Sequence, residues 1–240
     1  MKETGRRHAR LARTETPGPR QTHELGSLLL PSKQPPGRTD LLVHFHGAPW
    51  LVEQAARRAL PRATVLAVQI GSGSGVYSRR LAGGAVLKEL WQRPWRRRYV
   101  SAFSAGYGAV RELLKAPEFA ESIDALVLAD SLHAGHESME QDLAPFLALA
   151  RRAAAGQTRF LLLHSEVFPG TYASTTETAD WLLEQLNLKR RPVLRWGPLG
   201  TQQVSEAKTG KFEARGFAGN SAPDHMDFLH ALETWLRAVR

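Results

Sequence analysis

Tyr99-Val100-Ser101-Ala102-Phe103-Ser104-Ala105-Gly106-Tyr107-Gly108 reads as a buried strand, a serine, small residues and the first turn of a helix. Ala102 and Gly106, both small, stand two positions before and after the serine. A serine at such a strand-to-helix junction can stand with its oxygen at the helix N-terminus, where negative charge is favoured. Taken by itself, Ser104 reads equally well as an N-cap of the following helix. The flanking sequence decides between the two.

Outward from this stretch, apolar strands alternate with helices. Leu28–Leu30, Leu41–Phe45, Thr64–Ile70, Tyr99–Phe103, Ile123–Ala129, Arg159–Leu163 and Pro192–Trp196 read as strands. Leu51–Leu60, Leu81–Trp91, Tyr107–Lys115, Ser138–Ala154, Thr175–Leu186 and Met226–Val239 carry helical spacing. Pro31–Gly37 reads as a turn, Gly71–Gly75 as a loop, and Gly197–Pro223 as a long glycine-rich segment. Strands apolar throughout and separated by helices predict an α/β fold, a mostly parallel central sheet with helices on both faces. Ligands bind such sheets at the strands' C-terminal edge. The polar residues that follow strands are therefore the candidates: His46, Ser72, Ser104, Asp130, Glu166 and the segment up to His225.

The 240 residues suit one substantial core. Residues 25–240 read as a single domain, and residues 1–24, polar and basic, as a flexible arm without the apolar centre of a secretory signal. No apolar run is long enough to cross a membrane, and a 42% apolar share excludes a disordered chain. The reading is of a soluble protein, cytoplasmic or secreted after signal removal. The absence of cysteine excludes disulfides, thiolate metal sites and a cysteine nucleophile. A formal charge of +9 allows an anionic partner, but no single-sign face stands out, so neither nucleic acid nor membrane is expected. Arg93, Arg96, Arg97 and Arg98, with Trp91 and Trp95 among them, read as a solvated helix end rather than a stacking site.

The segment around Ser104 resembles the G-x-S-x-G nucleophile elbow of the α/β-hydrolase superfamily, with Ala102 in place of the first glycine. His46-Gly47-Ala48-Pro49 after a strand resembles the oxyanion loop of the same superfamily. Its H-G-x-P form is similar to that of epoxide hydrolases and dehalogenases, which use an aspartate where this chain has Ser104. The resemblance implies a three-layer sandwich and a serine nucleophile. It makes Ala48 and Ala105 the oxyanion donors, and His225, late in the chain, the general base. Gly47, Trp50 and Tyr107 are expected to line the substrate site, and His46 to shape its loop. Two acids compete: Asp130 ends the strand after the nucleophile helix, and Glu166 follows the next strand. The shorter Asp130, directly at a strand end, is preferred and Glu166 kept as alternate.

These roles together predict a carboxylesterase for small or carbohydrate-linked esters, needing no metal or other cofactor. Gly71–Arg80, Val167–Thr176 and Gly197–Pro223 would frame an open polar cleft. Two other readings compete. A metallohydrolase would use His44 and His46 with Asp130, His133 and His136, although the fuller H-x-H-x-D-H pattern is missing. A non-catalytic binding protein on the same fold would be expected to lack a triad member. Oligomeric state is not legible.

Overall fold

A computed structural model of the chain describes residues 7–33 and 37–240. The first part of the expected arm, residues 1–6, and the centre of the expected turn, residues 34–36, lie outside the described residues. In chain order the elements are β1 (Arg20–His23), β2 (Gly26–Leu29), β3 (Asp40–Phe45), α1 (Pro49–Ala59), β4 (Ala63–Val68), α2 (Ser74–Leu81), α3 (Ala85–Gln92) and β5 (Arg98–Phe103). They continue with α4 (Tyr107–Leu114), α5 (Pro117–Ala120), β6 (Ala125–Ala129), α6 (Met139–Ala154), β7 (Arg159–Ser165), α7 (Thr175–Gln185) and β8 (Arg191–Trp196). The chain closes with β9 (Gln202–Thr209), β10 (Phe212–Phe217), α8 (Ala222–His230) and α9 (Leu232–Ala238).

One sheet runs in the order β1-β2-β4-β3-β5-β6-β7-β10-β9-β8. From β4 to β10 the neighbours are parallel; β1, β2, β9 and β8 join antiparallel at the two edges. Alternate strand residues point to opposite faces. Val43, Val100, Leu126 and Leu162 pack with α2, α3, α4, α6 and α7 on one face. Leu42, Tyr99, Val127 and Leu161 pack with α1, α8 and α9 on the other. The result is a three-layer α/β sandwich, as the continuous apolar strands predict. No helix among the described residues is long and apolar enough to cross a membrane.

The structure corrects several boundaries. Gly197–Pro223 is not a loop over the cleft: most of it is the hairpin β9–β10, whose second strand pairs in parallel with β7. The alternating burial of Gln203, Ser205 and Ala207 carries that strand period, and Gly210 turns the hairpin at φ +54°. Pro192–Trp196 is accordingly no inner strand but an antiparallel edge, with Leu194 and Trp196 more than three-quarters exposed. The helix expected over Leu81–Trp91 breaks at Gly83 and Gly84, both with positive φ. Gly84 is required there, because a Cβ would lie 2.2 Å from the Phe119 ring. The glycine-rich loop after β4 is shorter than expected, since α2 begins at Ser74. The closing helix is two, α8 and α9, divided at Ala231. Residues assigned to the arm also contribute β1, the sheet's first strand. The arginine cluster is structural: Arg96 pairs with Asp40, Arg98 lies over the Trp91 ring at 5.8 Å, and Arg97 donates to the Tyr99 hydroxyl.

Candidate active site

Ser104 leaves β5 at φ +49°, a left-handed conformation that an L-residue adopts only under tight constraint. The constraint is visible one turn later. A Cβ on Gly106 would fall 2.1 Å from the Phe45 carbonyl oxygen, so only glycine lets the elbow lie against β3. Ser131 Oγ donates to the Ser104 carbonyl at 2.7 Å and fixes the turn from the β6 side. Ala105, in the first helical turn, has no intrahelical acceptor for its N–H.

The loop after β3 approaches from the neighbouring strand. His46 and Gly47 both take positive φ. The Gly47 N–H donates to Gln69 Oε1 at 2.7 Å and is thereby occupied, whereas the N–H of Ala48 makes no backbone hydrogen bond among the described residues. Gln69 was not singled out from sequence; its signal was a polar side chain closing an apolar strand. His46 lies 3.1 Å from the Tyr77 hydroxyl and stacks on Phe103. Burial, and the charge of His225, hold its pKa below the ordinary histidine value.

His225 sits in the first turn of α8. The Ser221 and Asp224 side chains form a capping box there, and the His225 N–H donates to the Ser221 carbonyl. Its ring stacks on Phe103 at 4.5 Å between centroids, which sets the imidazole beside the residue preceding Ser104. His225 Nδ1 lies 2.6 Å from Asp130 Oδ2. Asp130 ends β6 at φ +47° and is buried. Besides His225, its carboxylate accepts from the Ser165 N–H at 3.0 Å, Ser165 Oγ at 2.7 Å and Thr175 Oγ1 at 2.6 Å. Burial alone would push this carboxyl up. The hydrogen bond and charge of His225, with Thr175 and Ser165, outweigh it and leave the pKa below the usual carboxylate value. Ser165 and Thr175 were also missed from sequence, because nothing local marks a hydroxyl that will face a carboxylate from another strand.

Glu166, the alternate acid, is elsewhere. Its side chain is exposed and accepts from the Gly219 N–H at 3.1 Å, while its own N–H donates to the Gly219 carbonyl. It ties the end of β7 to the segment leading into α8. Tyr107 and His133 stand together at 5.5 Å between rings, and Tyr172 continues the row. Tyr107 Oη donates to Ser74 Oγ. Trp50 is half-buried in α1 and packs against the core face that also holds α8.

The side chains of the metal alternative do not converge. His44 is buried against Ser101 Oγ and the His46 carbonyl, His133 bonds the Ala173 carbonyl, and Asp130 is engaged by His225. Among the described residues, the group whose potential ligand atoms lie within 4.8 Å of one another is His8, Asp224 and Asp227, the two aspartates buried on α8.

The sheet order defines a three-layer α/β fold in which Ser104 and Asp130 follow the C-terminal ends of adjacent parallel strands and His225 reaches Asp130 from α8. No protein-family model matches the chain, and no curated protein matches it in sequence. Among solved structures it is similar to carboxylesterase CesB (YbfK) from Bacillus subtilis, with 10% identity over 92% of this chain and 87% of that one and a TM-score of 0.45. It is also similar to a loop variant of haloalkane dehalogenase DbeA from Bradyrhizobium elkanii, with 11% identity over 89% and 92% of the two chains and a TM-score of 0.42. The product of gene lin2722 from Listeria innocua shares 11% identity over 86% and 91%, with a TM-score of 0.44. Likeness at this level adds nothing to what the sheet order itself establishes.

Proposed function

We propose that the protein is a serine hydrolase, a carboxylesterase acting on small or carbohydrate-linked esters. The observation that carries this reading is the 2.6 Å contact of His225 Nδ1 with a buried, ionised Asp130, beside a serine at positive φ. With Nδ1–H committed to Asp130, Nε2 keeps its lone pair and takes the proton of Ser104 Oγ as that oxygen attacks the ester carbonyl. The carbonyl π pair moves onto oxygen, where the N–H groups of Ala48 and Ala105 receive it. Collapse of the adduct breaks the bond to the alcohol, and His225 returns its proton to that leaving oxygen. Water, deprotonated by His225, then attacks the acyl-enzyme; the bond from Ser104 Oγ to the acyl carbon breaks, His225 returns the proton to Ser104 Oγ, and the acid leaves. Asp130 stays ionised throughout and stabilises the imidazolium.

Small or carbohydrate-linked esters suit the hydroxyls and rings of Ser74, Tyr107, His133 and Tyr172, which gather beside the helix that follows Ser104. The test is turnover of nitrophenyl esters of increasing chain length alongside acetylated sugars, with and without a chelator. The wild type should hydrolyse short esters in either condition. Ser104→Ala and His225→Ala should each lose several orders of magnitude in kcat. Chelator-sensitive turnover that survives Ser104→Ala would remove this reading.

A further inference from the structure

The stretch expected to be a flexible arm makes specific contacts with the helix that carries His225. Arg10 Nη1 pairs with Asp227 Oδ1, Arg10 Nη2 donates to the Pro223 carbonyl at 3.1 Å, and His8 Nδ1 lies 2.9 Å from Asp227 Oδ2. The Leu11 N–H donates to His230 Nδ1 at 3.1 Å. That bond needs an unprotonated Nδ1, consistent with a His230 pKa held below its ordinary value by burial and by the Arg10 charge. Further along, Gln54 of α1 bonds Thr14 Oγ1 and reaches the Ala12 carbonyl. The strap therefore bridges α8 to α1.

Helix geometry shows what such a strap does. Pro223, Asp227 and His230 are three and four residues apart and share one side of α8, whereas His225 lies two residues from Asp227, about 200° round the helix. The strap thus grips α8 from the side opposite the imidazole. Asp227 has no exposed side-chain surface, while Arg10 is about a third exposed. A carboxylate so deeply buried is costly without the Arg10 cation, so the helix and the strap hold each other.

We propose that Arg10 is a positioning residue for His225: the N-terminal strap, acting through Asp227 and Pro223, sets the seat of α8 and thereby the reach of the imidazole to Ser104. The proposal rests on the serine hydrolase reading. Displacement of a reacting group by around an ångström can cost about a hundredfold in rate, so small tilts of α8 suffice.

The experiment measures the second-order rate of Ser104 labelling by a fluorophosphonate probe, in full-length wild type, Arg10→Ala, Arg10→Lys and His8→Ala, well below each protein's Tm. Amide exchange at His225–Phe228 is followed in parallel. Arg10→Ala should label about tenfold more slowly, with faster exchange in α8. Arg10→Lys, which keeps the charge but not the fork to Pro223, should recover part of the rate, and His8→Ala should lose less than Arg10→Ala. If Arg10→Ala lowers Tm yet labels at the wild-type rate, the strap is merely structural and the proposal is wrong. If Arg10→Ala does not fold, Arg10→Lys decides: wild-type labelling with wild-type α8 exchange overturns the proposal. Absence of labelling in a folded wild type would instead remove the hydrolase reading and the proposal with it.

Discussion

Replacing Asp130 by asparagine probes the site at its most connected atom group. The carboxylate accepts four hydrogen bonds, from His225 Nδ1, the Ser165 N–H, Ser165 Oγ and Thr175 Oγ1. An amide keeps one acceptor oxygen and turns two N–H hydrogens toward groups that are themselves donors. With its oxygen kept on the Ser165 N–H and Thr175, the amide nitrogen faces His225 Nδ1 and Ser165 Oγ. Ser165 Oγ, a hydroxyl, can turn and accept from the amide, so two bonds to a charged acceptor, about 1.5–3 kcal/mol each, become neutral ones. The imidazole must accept at a bare Nδ1, which moves its proton to Nε2 and leaves nothing to accept the Ser104 proton. Loss of that working tautomer is worth on the order of 10⁴ in rate. Asp130→Asn should therefore lower kcat on a nitrophenyl ester by about 10³–10⁴ with little change in KM. Glu166→Gln should remain within about threefold of wild type, since a glutamine oxygen still accepts from the Gly219 N–H. An Asp130→Asn enzyme within tenfold of wild type, or a Glu166→Gln enzyme a hundredfold slower, would refute the assignment of the acid.

Three further outcomes follow. Ser165→Ala removes one donor to Asp130 Oδ2 and should lower kcat about tenfold at unchanged KM, measured by steady-state ester hydrolysis. Gly106→Ala forces a Cβ to within 2.1 Å of the Phe45 carbonyl oxygen. It should cost about 1–3 kcal/mol, seen in a thermal melt as a fall of roughly 3–10 °C. Burial pushes both His44 and His164 from 6.5 down to about 4. The unfolded chain takes up these protons near 6.5 and the native protein only near 4, so the stability of both neutral sites is full above pH 6.5 and is lost as pH falls toward 4. Tm measured against pH should fall through that window, less steeply in His164→Asn.

The sheet centre was legible because its strands are buried on both faces and so apolar without interruption. The elbow was legible for a related reason: Ala102 and Gly106 are small where the backbone crosses β3. The β9–β10 hairpin escaped because its inward positions on β9 are Gln203, Ser205 and Ala207, which lack the large apolar side chains of a core strand even though all three are buried. Asp130 is preferred to Glu166 in the sequence on its short side chain and its place at a strand end, but the contacts of each appear only in space. The hydroxyls that surround Asp130 come from β7 and the start of α7, 35 and 45 residues away, and no local pattern records that meeting. The strap's contacts are hidden for the same reason: a polar, basic stretch reads as solvated until its partner, the buried Asp227, is known.

Peptide mapping after exposure to a fluorophosphonate probe tests the central claim most directly. In the native wild type, the probe adduct should fall on the peptide containing Ser104, should be absent from Ser104→Ala, and should be strongly diminished in His225→Ala. A correctly folded wild type that remains unlabelled at Ser104, or that carries the adduct on another residue, would contradict the account.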